Sequence, residues 1–267
     1  MRIIRYSSPG GPAYASIQSD GTALEIDGNI LGEFNVSSRT ANLGRRLAPI
    51  VPSCIVAIGL NYAKHAAEGG KPPPILPMWF MKLPGSLQNP DEPILLPKHQ
   101  ATSKADYEAE LAIVIGRTAR NVRREHAFDY VLGYTCANDV SARDWQRDFG
   151  GGQFSHAKSF DTFCPLGPVL VTPESLPNPN ALRIRSILNG TVMQDSSTSD
   201  MIFDVPSLIE FLSADKTLPA GTVILTGTPE GVGFARNPPV WLKPGDTISV
   251  DIEQIGTLTN TVALAAD

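Results

Sequence analysis

The sequence predicts a mainly β protein with some α-helix, and two features of its residues support this fold class. Short apolar, β-branched runs recur along the chain, as in IVAIG (55–59), ELAIVIG (110–116) and VILTG (223–227). The 267 residues include 23 Gly and 23 Pro, which favours many short strands joined by turns. Helical patterns are few, namely RREHAFDYVLGYT (123–135), SARDWQRD (141–148) and DVPSLIEFLSA (204–214).

The pattern divides the chain into a small N-terminal α/β domain, residues 1–48, and a larger β-domain, residues 49–267. Short alternating pieces near the N-terminus are separated by Asp20-Gly21 and Asp27-Gly28-Asn29, which are typical of hairpin turns. A short helix over about 39–47 is expected to connect the two domains. The Gly- and Pro-rich segment EGGKPPPILP (68–77) predicts an exposed loop.

The composition argues against several classes of protein. The net charge is −5 and the sequence pI about 5.4, so nothing favours binding to nucleic acid or to an anionic membrane. The longest apolar runs are too short to span a bilayer, and MRIIRYSS (1–8) lacks the apolar stretch of a secretory signal. The three cysteines are too few and scattered for a disulfide framework. We therefore expect a cytoplasmic protein without nucleic-acid or membrane partners.

Two glutamates lead into the strand pattern DYEAELAIVIG (106–116). Glu108 and Glu110 are two residues apart, so in an extended chain both side chains point to one face, with their carboxyls roughly 6–7 Å apart. Their repulsion costs about 2–3 kcal/mol at an effective dielectric of about 20. Either both lie in water on an edge strand, or a divalent cation lies between them. Oxygen ligands favour Mg²⁺, Mn²⁺ or Ca²⁺, and such a cation needs a third ligand.

The segment NDVSARDWQRD (138–148) contains a candidate third ligand. If a helix begins at its start, Asp139, Arg143 and Gln146 lie on one face at i, i+4 and i+7. An acid, a guanidinium and an amide aligned in this way suit a metal ligand, an anion clamp and a hydrogen-bond donor. The alternative is an N-cap aspartate with an i,i+4 ion pair on a solvated helix.

The segment GLNYAKHAAEGG (59–70) places His65 and Glu68 one helical turn apart. A carboxylate at this spacing orients an imidazole and raises its basicity, as a general base requires. The second histidine of an H-E-x-x-H zinc site is missing. An ordinary surface pair is the alternative, but the Gly/Pro-rich loop that follows predicts a site that this loop covers.

Three further side chains are weaker candidates, because each lies in a segment that also fits an ordinary turn or strand. They are Lys158 in HAKSFDTFCPLGP (156–168), Thr228 in LTGTPEGVG (225–233) and Lys82 in MWFMK (78–82). For Lys82 the alternative is a side chain that reaches solvent from an apolar strand. Neither a G-K-[ST] phosphate loop nor a G-x-G-x-x-G helix start is present in the sequence, which argues against a nucleotide site.

Taken together and in this order, the motifs resemble the fumarylacetoacetate hydrolase family. The matching segments span about residues 55–258 and are IGLNYAKHAAE, FMK, DYEAELAIVIG, GYTCANDVSARDWQ, KSFDTFCPLGP, NG…Q (189–194), TGTPEGVG and LKPGDTISVDIEQIGTL. The resemblance implies a mixed β-sandwich roll with a small N-terminal domain. It also implies a homodimer and a divalent metal, Mg²⁺ or Mn²⁺ with Ca²⁺ as an alternative.

The resemblance also implies a role for each candidate residue. The implied metal ligands are Glu108, Glu110 and Asp139; the implied catalytic residues are His65, Glu68 and Lys158; and the implied substrate contacts are Lys82, Arg143, Gln146 and Thr228. A further aspartate ligand found in some members has no matching motif here. Ala157 stands before Lys158 where many relatives have glycine, a change of little consequence.

The implied substrate is a small 2-oxo acid. We expect first a hydrolase that cleaves C–C bonds in acylpyruvates such as fumarylpyruvate or acetylpyruvate, with the His65–Glu68 dyad activating water. In that reaction Lys158 and Gln146 stabilise the oxyanion, and Arg143 or Lys82 holds the substrate carboxylate.

The same residues leave other activities open. They are equally suited to oxaloacetate decarboxylation or tautomerisation, and to isomerisation or decarboxylation of 2-hydroxy-diene dioates. Ureidoglycolate lyase and sugar-acid hydrolase activities are not excluded by the sequence. A non-catalytic binding protein on this fold would be expected to have lost site residues, all of which are present. A thiol enzyme using Cys136 or Cys164 is poorly supported, because both lie in apolar segments.

Overall fold

The computed structural model describes residues 1–266 and confirms the mainly β class. The strands are β1 (Arg2–Ser8), β2 (Gly11–Ile17), β3 (Ala23–Gly28), β4 (Phe34–Thr40), β5 (Arg46–Leu47), β6 (Ile55–Gly59), β7 (Met78–Lys82), β8 (Leu87–Gln88), β9 (Ile94–Leu96), β10 (Ala105–Asp106), β11 (Ala109–Ile115), β12 (Val131–Asn138), β13 (Ser141–Ala142), β14 (Cys164–Val171), β15 (Arg183–Leu188), β16 (Thr191–Ser197), β17 (Val223–Leu225), β18 (Thr247–Ile252) and β19 (Gly256–Leu264). The helices are α1 (Ala63–Glu68), α2 (Phe154–Lys158) and α3 (Val205–Ser213), with 3₁₀ turns at Pro84–Ser86, Arg124–Tyr130, Thr198–Asp200 and Gly233–Ala235 and a π-helical turn at Asp144–Asp148.

The described strands form one large sheet and two smaller ones. The large sheet has twelve strands, ordered β4-β3-β2-β1-β14-β12-β11-β17-β6-β7, with β5 attached to β1 and β8 to β14. A five-stranded sheet has the order β16-β15-β18-β19-β9, and β10 pairs with β13. Parallel and antiparallel pairs occur in the same sheet, since β17 is parallel to β6 and antiparallel to β11. The sheets are therefore mixed, as the family resemblance implies.

Strand β11 is covered on both faces, which explains its continuous apolar sequence. Leu111 and Ile113 belong to the apolar cluster that contains Leu208 of α3, whereas Ala112 and Val114 belong to a second cluster on the opposite face. Side chains alternate along a strand, so Glu110 extends the row that Ala112 and Val114 begin. The two-residue period thus directs this glutamate to the face of the second cluster.

The large sheet curls around this second face. The ammonium of Lys82, at the end of β7, donates to Asp139 Oδ1 at 2.5 Å, although β6, β17 and β11 lie between β7 and β12 in the sheet order. Four inter-strand spacings would separate these strands by ~19 Å in a flat sheet, far more than a lysine side chain can span. The contact therefore requires a rolled sheet, and the inside of the roll is where Asp139 lies.

The predicted helix over 39–47 is wrong. This segment finishes β4, continues without regular structure and ends in β5, whose Leu47 lies beside Arg5 of β1. Within residues 1–48, all described, the structure shows strands and turns and no helix. Pairing of β5 with β1 therefore outweighs the helical preference that was expected for this segment. The domain boundary at residue 48 stays a prediction, and β1 also pairs with β14, with Arg2 beside Val171.

The other helix predictions are met in part. The segment 123–135 is helical only as the 3₁₀ turn Arg124–Tyr130, because the residues after it enter β12 between β11 and β14. The prediction over 204–214 is confirmed by α3, where the Asp204 side chain caps the helix by accepting the N–H of Ser207 at 3.0 Å. Helix α3 has nine residues, and none of the helices within residues 1–266 has the length and apolar character needed to cross a membrane.

Candidate active site

Three buried carboxylates meet where β11 begins and β12 ends. Antiparallel pairing places Ala109 beside Asn138, and the N–H of Asp139 donates to the carbonyl of Glu108 at 2.9 Å. One oxygen each of Glu108, Glu110 and Asp139 lies within 4.8 Å of the other two. This is closer than the spacing that strand geometry alone predicts for the two glutamates. Three converging carboxylate oxygens are the donor set that Mg²⁺, Mn²⁺ and Ca²⁺ prefer.

Asp139 reaches this position from the end of a strand rather than from a helix. The predicted helix over 141–148 is wrong in its first part, because Ser141 and Ala142 form β13 and pair with β10. Only Asp144–Asp148 is helical, as a π-helical turn. Asp139, Arg143 and Gln146 therefore do not share a helix face, although the fold still brings them to one site.

Lysine ammonium groups neutralise part of the buried negative charge. Lys158 Nζ donates to Glu108 Oε2 and to Asp139 Oδ2, each at 2.6 Å. Burial alone would raise the pKa of Glu108, but the charges of Lys158 and Arg143 outweigh burial and lower it. Burial would lower the pKa of Lys158, but Asp139 and Glu108 raise it. Lys158 is therefore positively charged at neutral pH and suited to stabilising negative charge.

Glu110 has a different environment from the other two acids. Its Oε2 accepts the backbone N–H of Gly227 at 2.6 Å. Burial first, and then the charges of Asp139 and Glu108, raise its pKa well above the usual range. Glu110 is therefore the acid of the cluster whose ionised form is opposed most by its surroundings. A divalent cation at this point relieves the repulsion, so the residues present fit such a metal.

Asp106 belongs to the same site and was missed by the sequence reasoning. Its carboxylate accepts Arg143 Nε at 2.9 Å and the N–H groups of Gly233 and Phe234 at 2.7 and 3.2 Å. Burial and the neighbouring charge of Glu108 raise its pKa, and Arg143 opposes the rise. The signal was present in the sequence, because Asp106 lies two residues before Glu108 and continues the same alternation.

Arg143 is held by the buried acids on several sides. Besides Asp106, it donates to Glu108 Oε1 at 2.5 Å and to Gln146 Oε1 at 3.0 Å. The latter bond orients the Gln146 amide, leaving its N–H₂ group as a donor for a ligand. Arg143 and Gln146 both line a cavity of about 470 Å³. The predicted contact of Arg143 with a substrate carboxylate stays a prediction, and its donors already serve protein groups.

Lys82 lies against Asp139, and its predicted contact with the substrate stays a prediction. The residue is only 1% exposed, so it does not reach solvent from its strand. Its ammonium donates to Asp139 and to the carbonyl of Phe163 at 2.8 Å, and the residue lies outside the set that lines the cavity. The structure therefore gives Lys82 the position of a partner that neutralises Asp139. Direct contact with a substrate carboxylate is not favoured by this geometry.

His65 and Glu68 form a contact within α1. His65 Nδ1 lies 3.2 Å from Glu68 Oε2, while Glu68 Oε1 accepts the N–H of Gly231 at 3.1 Å. Burial alone would raise the pKa of Glu68, but the hydrogen bonds from His65 and Gly231 lower it overall. An ionised Glu68 holds the proton on Nδ1 and leaves Nε2 as the nitrogen that can exchange a proton.

Thr228 is positioned by Gln194, the last residue of the NG…Q motif. Gln194 Oε1 accepts the N–H of Ala109 at 3.0 Å, and its amide nitrogen donates to Thr228 Oγ1 and to the carbonyl of Pro229, each at 2.8 Å. Because Thr228 Oγ1 accepts from Gln194, its own O–H remains a donor toward the cavity.

A cavity of about 470 Å³ is lined by several side chains of this site. It is of the size that holds small-molecule ligands. The lining residues that carry charge or hydrogen-bonding side chains are His65, Lys71, Glu108, Arg143, Gln146, Arg147, Lys158 and Thr228. His65 therefore lines the same cavity as Glu108, one member of the carboxylate cluster. Gly69 and Lys71, from the predicted covering loop, also reach the cavity.

Comparison with known families accounts for this arrangement. A family model described as the C-terminal domain of fumarylacetoacetate (FAA) hydrolase matches residues 54–263. The chain belongs to the fumarylacetoacetate hydrolase family. A second model, described as Rv2993c-like, N-terminal, matches residues 1–45.

Several relatives within the family are similar over most of the chain. Oxaloacetate tautomerase fahd2, mitochondrial, from Xenopus laevis is 43% identical over 249 residues, 93% of this chain and 75% of that protein. The crystal structure of 5-carboxymethyl-2-hydroxymuconate delta-isomerase from Mycobacterium smegmatis is 44% identical with a TM-score of 0.87, covering 99% of this chain and 100% of that one. The structure of 2-hydroxyhepta-2,4-diene-1,7-dioate isomerase from Mycobacterium marinum is 43% identical with a TM-score of 0.86, and each chain is fully covered.

We predict that Glu110→Gln weakens Mg²⁺ and Mn²⁺ binding by at least about 10- to 100-fold. The amide keeps the shape and the bond from Gly227 but removes the charge that attracts the cation. Titration calorimetry on metal-stripped protein measures the effect, with the exposed Glu33→Gln as the matched control and a thermal melt to confirm folding. Unchanged affinity in Glu110→Gln would exclude Glu110 as a ligand.

The raised pKa of Glu110 adds a pH signature to this test. Below that pKa the carboxyl is protonated, so a cation must displace the proton in order to bind. Metal affinity of the wild type should therefore fall as the pH is lowered through the pKa of Glu110. Below that pKa, metal binding should release a proton. Calorimetry in buffers of different ionisation enthalpy counts the proton, and Glu110→Gln should lose its release.

Proposed function

We propose that the chain is a Mg²⁺- or Mn²⁺-dependent enzyme that moves a proton between carbon and oxygen in 2-oxo acids. Its reaction would interconvert the enol and keto forms of oxaloacetate, or isomerise related 2-hydroxy-diene dioates. The observation that carries the proposal is that His65, which is held by Glu68, lines the same cavity as Glu108 of the carboxylate cluster. Relatives at 43–44% identity that are named as a tautomerase and isomerases support this choice over hydrolysis.

The proposed reaction requires a base near C3 of the acid and stabilisation of the developing enolate. The cation, when bound, would supply Lewis-acid stabilisation of the charge on the 2-oxo oxygen. His65 Nε2 takes the proton from C3 as the C–H electron pair becomes the C2–C3 double bond. Glu68 stabilises the resulting imidazolium through Nδ1. Return of the proton to oxygen completes the enol, and the reverse sequence forms the ketone.

The remaining cavity side chains are suited to orienting the acid. Lys158 presents a positive charge, and the Gln146 amide and the Thr228 hydroxyl supply neutral hydrogen-bond donors. All three are fixed by protein contacts before a ligand arrives, through Glu108, Arg143 and Gln194 respectively. Such preorganisation lowers the cost of placing C3 beside His65.

Hydrolysis of acylpyruvates, the first expectation from the sequence, is the second candidate. It is favoured by the presence of both His65 and Lys158 on one cavity, since a base for water and a cation for the resulting oxyanion are the groups that hydrolysis needs. Decarboxylation of oxaloacetate uses the same enolate stabilisation and is distinguished by its product. A non-catalytic binding role is disfavoured, because His65 Nδ1 lies 3.2 Å from Glu68 Oε2 and the same histidine lines the cavity.

We predict rapid, metal-dependent conversion of enol-oxaloacetate to the ketone. Metal-stripped protein reloaded with Mg²⁺ or Mn²⁺ would be assayed by ultraviolet absorbance with oxaloacetate, acetylpyruvate and a 2-hydroxy-diene dioate side by side. Loss of the enol band without release of CO₂ supports tautomerisation. Cleavage of acetylpyruvate without any acceleration of ketonisation would replace the proposal with C–C hydrolysis, and CO₂ release would replace it with decarboxylation.

His65→Asn should reduce kcat about 10²- to 10⁴-fold while metal affinity stays unchanged, because the substitution removes the base but not the carboxylate cluster. The solvent-exposed His126→Asn serves as the matched control. Steady-state kinetics and metal titration on the same preparations separate the two effects. Turnover near the wild-type rate in His65→Asn would remove the dyad from the mechanism.

The homodimer that the family resemblance implies stays a prediction. Strand β7 ends the large sheet and exposes Trp79 and Met81, followed by Leu83 at 64% exposure, which is an apolar surface suited to a second copy. We expect Trp79→Lys combined with Leu83→Lys to shift the protein toward monomer. Light scattering coupled to size exclusion measures this, and a monomeric wild type at tens of micromolar would contradict the prediction.

A further inference from the structure

The cations that line the cavity fall into two groups. Arg143 and Lys158 lie at its inner end and are paired with buried carboxylates. Arg147 and Lys71 line the same cavity but are exposed. Within residues 1–266 neither forms an ion pair, and Asp148, the acid next to Arg147, is bonded instead to Lys104 at 2.6 Å. The outer part of the cavity therefore carries two cations that no carboxylate of residues 1–266 contacts directly.

Arg147 is held in place by the same framework that holds Arg143. Its guanidinium carbon lies 4.1 Å from the centre of the Phe234 ring, and that of Arg143 lies 4.7 Å from the same ring. Phe234 is fixed by Asp106, which accepts its N–H and that of Gly233. Arg147 thus differs from an unconstrained surface arginine, because its position depends on buried contacts of the site.

The charges of the inner site indicate what the outer cations are for. The inner site contains four buried carboxylates and three buried cations. The carboxylates are those of Asp106, Glu108, Glu110 and Asp139, and the cations are Lys82, Arg143 and Lys158. A divalent cation leaves the inner site with one positive charge, which a single substrate carboxylate neutralises. A second carboxylate on the same substrate would find its counter-charge only farther out, where Arg147 and Lys71 lie.

We propose that Arg147 and Lys71 form a subsite for the distal carboxylate of the substrate, which makes the protein selective for 2-oxo dicarboxylic acids. The inference rests on the proposed function only in placing the 2-oxo acid end at the carboxylate cluster. Arg147, with its fixed planar guanidinium, provides the directional contact. Lys71, on the loop after α1, adds a second charge and links occupancy of the subsite to the loop beside His65.

The test is a binding experiment with two acids of equal length. 2-Oxoglutarate and 2-oxopentanoate share a five-carbon 2-oxo acid and differ only in a terminal carboxylate against a methyl group. Calorimetry on Mg²⁺-loaded protein should show 2-oxoglutarate binding about 10- to 100-fold more tightly, the usual gain from charge-assisted hydrogen bonds. Arg147→Gln should remove most of this preference and leave 2-oxopentanoate affinity unchanged. Lys71→Gln should reduce the preference by a smaller factor.

Controls separate a local effect from a general loss of charge. The exposed Arg120→Gln, on the segment between β11 and β12, removes the same charge away from the cavity and should leave the preference intact. Arg147→Lys keeps the charge but loses the planar contact with Phe234, so an intermediate preference is expected. Mg²⁺ affinity, measured without acid, should be unchanged in every variant.

The outcomes distinguish this inference from the proposed activity. A wild type that binds both acids equally, or a preference that survives in the Arg147→Gln, Lys71→Gln double variant, would overturn the subsite. A preference that depends on Arg147, in a protein that does not ketonise oxaloacetate, would keep the subsite and overturn the tautomerase assignment. A wild type that binds neither acid would overturn the subsite, and the ketonisation assay would still decide the proposed activity by itself.

Discussion

The electrostatic repulsion among Glu108, Glu110 and Asp139 is the constraint on which the rest of the site depends. Two unit charges 4.8 Å apart repel by about 3 kcal/mol at an effective dielectric near 20, and burial adds a desolvation cost. The fold offsets this with buried cations from separate elements, Lys82 from β7 and Lys158 from α2. Because β7 and β12 are distant in sheet order, the sheet must roll for the charges of Lys82 and Asp139 to meet.

Asp106 connects this cluster to the wall of the cavity. One carboxylate holds the Arg143 side chain and the backbone of the turn that carries Phe234. Gly233 has to be glycine for this contact, since a Cβ there would lie 2.5 Å from Asp106 Oδ1 and 2.0 Å from the carbonyl oxygen of Val240. The charge cluster and the aromatic wall are therefore one connected unit. A change at Asp106 would disturb both the inner arginine and the outer one.

The proposed site divides metal binding and proton transfer between two sets of residues. The carboxylate cluster lies deep in the roll, whereas His65 and Glu68 lie on a short helix at the start of the exposed loop. A proton-moving group on such an element can adjust to different substrates while the metal-binding geometry stays fixed. This division is consistent with one family containing proteins named as tautomerase and as isomerases. In the proposed subsite, substrate selection lies in the outer cavity rather than in the cluster.

The sequence by itself determined the parts of this protein that depend on local spacing. The two-residue period of Glu108 and Glu110, the three-residue spacing of His65 and Glu68 and the helical pattern of α3 follow from backbone geometry, so they could be read directly. The order of motifs was sufficient to identify the family. Applying the two-residue period of Glu108 and Glu110 one step earlier in the chain would also have identified Asp106 as a site residue.

Only the tertiary structure decided which of these local groups meet, because those contacts depend on strand pairing between segments far apart in the chain. Pairing of β13 with β10 replaced the expected helix around Asp139, and pairing of β5 with β1 replaced the helix over 39–47. The rolling of the large sheet buries Lys82 and places its ammonium group against Asp139. Arg147 gained its position from Phe234, which lies 87 residues later in the sequence, and no local pattern specifies such a contact.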